Sequence, residues 1–172
     1  MAKIKTFYLT FFFIFANWTN ASVYDYFPKR LEASSSSFGI TGIINMPNAR
    51  LMAEGSMKIG YSSSYPHEYT YISATPFNWL EASYKYTELK NLLYGPSSYS
   101  GNQTYKDKGF DLKLRLLRES YYLPDISIGW NDLAGTGKFS AEYLTATKNI
   151  RNVDFTLGLG WGSLGQEKNI NN

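Results

Sequence analysis

From residue 56 to residue 161, apolar and polar side chains alternate with a period of two almost without interruption. Met57, Ile59 and Tyr61 alternate with Lys58, Gly60 and Ser62, and Leu80, Ala82, Tyr84 and Tyr86 with Glu81, Ser83 and Lys85. Phe110, Leu112, Leu114 and Leu116 oppose Asp111, Lys113 and Arg115, while Ile126, Ile128 and Trp130 oppose Ser127, Gly129 and Asn131. Val153, Phe155, Leu157, Leu159 and Trp161 oppose Asp154, Thr156, Gly158 and Gly160. Phe139, Ala141 and Tyr143 read as a further apolar row against Ser140 and Glu142, and Tyr69 and Tyr71 as another against Thr70, with Ile72 out of step. Successive side chains of a strand point to opposite faces, so the pattern predicts about seven strands, each with one apolar and one polar or glycine face. Connections at 66–67, 76–78 and 149–152 are tight, whereas 89–106 is long and rich in Gly, Pro, Ser and Asn. An antiparallel meander follows.

The chain before residue 56 reads differently. Residues 1–21 have the form of a secretory signal peptide: Lys3 and Lys5, an apolar stretch over 6–16, then Thr19, Asn20 and Ala21 before a cut. The apolar run is too short for a membrane-spanning helix, which needs about 20 residues. Residues 22–55 form a lead-in and loop segment, with Pro28, a serine run over 34–37, and Gly39, Gly42 and Pro47 as breakers. Residues 166–172 are a polar tail and an expected truncation point.

Composition narrows the chemistry. Aromatic residues make up 17% of the 172, which favours strands, and there is no cysteine. Disulfides, thiolate metal sites, a cysteine nucleophile and a lipid anchor on cysteine are excluded. His67 is the single histidine, set in a turn and expected to be exposed, which leaves no histidine triad or cluster. Removing Lys3 and Lys5 with the leader takes the basic count from 17 to 15 against 14 acidic residues, a net charge of +1. That balance argues against nucleic acid as a partner. Gly160, Gly162 and Gly165 match a dinucleotide-loop spacing without the helix and distant acid it requires, and Gly135-Thr136-Gly137-Lys138 lacks the hydroxyl residue of a phosphate loop. Asp107 with Asp111, or Glu81 with Glu142, could be proposed as a glycosidase carboxylate pair. Asp107 is flanked by Lys106 and Lys108, Asp111 is followed by Lys113, and Glu81 shares its face with Lys85, so ion pairing is the expected role. No catalytic, metal or cofactor-binding residue is assigned.

Alternation alone does not say what the apolar face meets. In a soluble β-sandwich it packs into a shared core; in an outer-membrane barrel it faces lipid and the polar face lines the lumen. Three features favour the barrel: strands near the ~9–11 residues a tilted membrane strand needs, aromatics towards segment ends, and polar faces carrying both signs of charge. On this reading Glu81, Lys85, Asp111, Lys113 and Arg115 line a lumen. About seven strands fall short of the minimum of ~8 for a closed barrel, so the chain is expected to be the N-terminal piece of something longer.

The order and spacing of certain residues carry a family resemblance. Gly39-Ile40-Thr41-Gly42 leads into Met46-Pro47-Asn48-Ala49-Arg50, then come Leu93-Tyr94-Gly95 and Tyr105-Lys106-Asp107-Lys108-Gly109-Phe110-Asp111 with Lys113 and Arg115. Gly135-Thr136-Gly137, Phe139, Glu142-Tyr143 and the run from Asp154 to Gly162 follow. This arrangement resembles the N-terminal region of the YjbH-type (YbjH) exopolysaccharide family of Gram-negative bacteria. The resemblance implies an exported, non-enzymatic outer-membrane barrel protein that takes part in exopolysaccharide production or export. Its implied partners are the polysaccharide, outer-membrane lipid and other export proteins. The alternative is a soluble periplasmic or secreted β-sandwich module that binds carbohydrate or a partner protein.

Overall fold

The computed structural model describes residues 33–151 and 153–165; the leader, the start of the lead-in and the polar tail lie outside the described residues. Seven strands form one antiparallel sheet in sequence order: β3 (Ser56–Ser64), β4 (His67–Phe77), β5 (Leu80–Leu93), β6 (Thr104–Leu117), β7 (Asp125–Asn131), β8 (Ala141–Ile150) and β9 (Val153–Gly162). The meander read from the alternation is therefore present. A two-stranded hairpin precedes it, β1 (Gly42–Ile43) and β2 (Met46–Pro47). The long connection is shorter than the sequence pattern predicts. Strand β5 runs on to Leu93 and β6 starts at Thr104, leaving 94–103 with one helical turn, α1 (Ser97–Ser100).

Closure into a barrel is not seen among the described residues: β3 and β9 are the two edges of an open sheet. What the structure does show is which face is buried. Opposed residues of an antiparallel pair share a face, so the register can be followed across the sheet. One row reads Leu80, Leu114, Ile128, Leu144, Leu159 and another Ile59, Ile72, Tyr84, Phe110. The opposite face reads Lys58, Ser73, Ser83, Asp111, then Glu81, Lys113, Gly129, Tyr143, Gly160, then Arg115, Ser127, Thr145, Gly158. The polar face is the buried one. Glu81 and Lys113 are 0% exposed, whereas Ile59 is 72%, Leu157 78% and Leu159 61% exposed. Among the described residues no second sheet covers the apolar face, so the core of a soluble sandwich is absent there.

Two face assignments from the alternation are corrected by the register. Tyr69 and Tyr71 lie on the polar face and Ile72 on the apolar one, which removes the apparent break in β4. In β8 the buried residues are Ala141, Tyr143, Thr145 and Thr147, while Glu142 and Leu144 point outward. The reason is steric: Tyr71 lies opposite Gly60 and Tyr143 opposite Gly129, and a Cβ built at either glycine would overlap the facing ring. These glycines make room for large rings on the inner face.

Gly129→Val should consequently destabilise the sheet by about 1–3 kcal/mol, the usual range for overpacking. In a Tyr143→Ala background the same change should cost less, because the obstructing ring is gone. Thermal unfolding of the four proteins measures this coupling; additive losses would remove the ring-over-glycine account.

Candidate functional site

The polar face is covered by residues 33–51. Irregular backbone buried against a sheet needs hydrogen-bond partners, and here the sheet's side chains supply them. Thr41 donates from its backbone N–H and its Oγ1 to Glu81 Oε1, at 2.9 and 2.8 Å. Lys113 Nζ donates to the carbonyls of Thr41 and Arg50 at 2.6 and 2.8 Å. The Ala49 N–H donates to Thr147 Oγ1 at 2.9 Å, and Ser73 Oγ to the Gly39 carbonyl at 2.9 Å. Gly39 turns with φ of 97° and sits so close to Tyr71 and Ser83 that no side chain fits there. The hairpin β1–β2 lets the segment reverse and return across the same face.

All five residues expected to line a lumen share this face. Glu81 ties the segment at Thr41 and stands 3.7 Å from Lys113 Nζ, with Lys58 Nζ at 3.6 Å. Lys85 Nζ donates to both oxygens of Asp111 at 2.8 and 3.0 Å, and Asp111 also accepts from the Asp132 N–H at 2.8 Å. Arg115 Nη1 donates to the Asn78 carbonyl at 2.7 Å, and its Nε lies 3.7 Å from Asp125. The structure thus brings Glu81, Lys85, Asp111 and Lys113 together as a buried set beneath the covering segment, with Arg115 towards one end. Glu81 and Glu142, weighed above as a carboxylate pair, lie on opposite faces of the sheet and cannot flank one bond.

The strongest cluster involves a residue to which the sequence reading assigned no role. Arg50 Nη1 donates to Glu119 Oε2 at 2.5 Å and to Asp125 Oδ2 at 2.6 Å, while Nε and Nη2 form a two-pronged pair with Asp154 at 2.9 Å each. Burial by itself would lower the Arg50 pKa. The bonds to Asp154 and Glu119 and the charge of Asp125 outweigh it and raise the value overall, so the guanidinium stays charged. Lys148 stands 3.4 Å from Glu119, so Arg50, Arg115 and Lys148 face Glu119, Asp125 and Asp154 at this end. A planar five-donor group is suited to hold several carboxylates at once, which a lysine could not do. The signal available in the sequence was the Asn48-Ala49-Arg50 run after Pro47, a basic residue in an otherwise uncharged stretch. Its partners are 69, 75 and 104 residues away.

His67 also differs from its expected role. It is half-buried at the start of β4 and stacks on Tyr69, with ring centroids 5.9 Å apart and planes within 8°.

Residues 34–172 match the family described as "Exopolysaccharide biosynthesis protein YbjH". The chain belongs to the YjbH family. Over 147 residues it is 45% identical to a protein of Escherichia coli (strain K12) named "Uncharacterized lipoprotein YjbH", which covers 85% of this chain and 21% of that one. The chain thus spans about a fifth of the length of its curated relative. No solved structure matches it. Zero cysteine in this chain leaves no residue for a cysteine-linked lipid, although the relative's name carries the word lipoprotein.

Proposed function

We propose that this chain is the N-terminal part of an outer-membrane β-barrel protein that takes part, without catalysing a reaction, in producing or exporting an exopolysaccharide. One observation carries the reading: the sheet buries its polar face along β4 to β8, less so at the edges β3 and β9, while its most exposed large side chains are apolar. In water that arrangement forfeits the hydrophobic driving force; against hydrocarbon it is the favoured one. Irregular backbone is tolerated at membrane depth where protein buries it, which fits residues 33–51 lying inside the polar face. Rings gather towards both ends of the outer face. Phe77 stacks on Trp79 at 5.4 Å, with Tyr121 and Tyr122 exposed at the same end, while Trp130 and Trp161 stand towards the other. Such belts sit at headgroup level.

The loops suggest an orientation. The two longest connections, 94–103 and 132–140, emerge at one end of the sheet together with the 65–66 turn, whereas 78–79, 118–124 and the paired Ile150 and Val153 are at the other. In bacterial barrels the longer loops are extracellular and the short turns periplasmic. On that rule the Arg50 cluster faces the periplasm. The edges β3 and β9 would pair with further strands of the full protein. Family membership supplies the link to polysaccharide.

The test is fractionation combined with polymer output. The protein should stay with outer membranes through carbonate washing, and cells lacking it should secrete less polysaccharide. Purified protein should release no reducing ends from that polymer. Recovery in the soluble wash would overturn the barrel, and reducing-end release would overturn the non-enzymatic role.

A further inference from the structure

At the end of the sheet with the longer loops, a cavity of about 250 Å³ opens on the polar face. Four rings wall it. Phe38, from the covering segment, meets Tyr69 edge-on at 5.1 Å; His67 stacks on Tyr69; and Phe139 meets His67 edge-on at 6.4 Å. Lys85 and Asn131 add polar wall. Asn131 is largely buried and His67 half-buried; among the described residues neither side chain makes a hydrogen bond, and the polar atoms of both stay open to the cavity. Two unbonded polar groups, each able to donate and to accept, thus border the same opening.

The geometry points to a subsite for one neutral pyranose unit. The apolar C–H face of a sugar ring packs on aromatic faces, and its hydroxyls both donate and accept, matching an amide and an imidazole that can each do the same. The volume lies below the ~300 Å³ at which small-molecule sites usually begin, so it takes a single ring rather than a length of chain. Charge decides against a uronate: the Lys85 ammonium is already matched by Asp111 at 2.8 and 3.0 Å, so a second carboxylate would meet an occupied cation. This subsite deepens the function proposed above and rests on it for the source of the sugar.

Saturation-transfer NMR on the full-length gene product in detergent micelles tests the inference. The probes are methyl β-galactopyranoside, methyl α-mannopyranoside and glucuronate. At least one neutral glycoside should receive saturation, and glucuronate should not displace it. Asn131→Leu and Phe139→Ala should each weaken binding roughly tenfold, about the worth of one lost hydrogen bond or ring contact, with circular dichroism and membrane retention unchanged. No transfer to either neutral glycoside overturns the subsite, as does displacement by glucuronate or undiminished binding in both variants. Loss of membrane retention by the unaltered protein would instead overturn the barrel reading, leaving the binding result to be judged separately.

Discussion

Arg50→Ala should loosen the Arg50 end of residues 33–51 from the sheet. The change takes the nearest cation from Glu119 and Asp125, leaving them Lys148 at 3.4 Å and Arg115 at 3.7 Å, and removes both prongs from Asp154. Removing one member of a buried ion pair costs about 3–5 kcal/mol, and the lower end is expected here because Lys148 and Arg115 keep part of the compensation. The outcome should be a lower thermal midpoint and rapid cleavage within 33–51 by a non-specific protease, while the strands of the sheet resist. Arg50→Lys should recover only part of the loss, since an ammonium cannot reproduce the two-pronged geometry on Asp154. Lys113 would still hold the Arg50 carbonyl, so partial attachment near Thr41 is expected. Unchanged protease resistance in Arg50→Ala would show that the backbone contacts alone hold the segment.

Leu144→Arg should block assembly into the membrane, whereas Glu142→Arg, two residues along the same strand and on the same face, should be tolerated. Leu144 sits between Ile128 and Leu159 in the all-aliphatic row, where a cation would meet hydrocarbon. Glu142 lies between Trp130 and Trp161, at the ring-rich end. On the lipid face of a barrel, Arg costs about 2–4 kcal/mol at mid-depth and about 0–1 near the interface. Heat-modifiable gel mobility and carbonate retention report the difference. Normal assembly of Leu144→Arg would remove the lipid-facing assignment, and equal failure of both variants would remove the depth assignment.

Much of this arrangement was legible as alternation. Strands β5, β6, β7 and β9 alternate between groups of plainly different polarity, so their faces follow directly from the sequence. Strand β8 defeats the alternation because tyrosine is ambiguous. Tyr143 carries an apolar ring and a hydroxyl, and what places it inside is the space above Gly129 on the neighbouring strand. Tyr69 and Tyr71 misled for the same reason. Glu142 looked polar-facing because its environment depends on depth along the strand, which alternation does not encode. Alternation places the candidate charges Glu81, Lys85, Asp111, Lys113 and Arg115 on one face, but it gives no sign that residues 33–51 cover them. That cover consists largely of side-chain-to-backbone hydrogen bonds, which leave no periodic trace.

By itself the sequence determined a polar side and an apolar side for most strands and their antiparallel order, because side-chain direction in a strand is a local consequence of backbone geometry. Only the tertiary structure decided that the polar side is the buried one. It also decided that Arg50 is the anchor and that Phe38, His67, Tyr69 and Phe139 meet around one cavity. Those outcomes depend on contacts between distant parts of the chain, and burial is a property of what covers a residue, not of the residue itself.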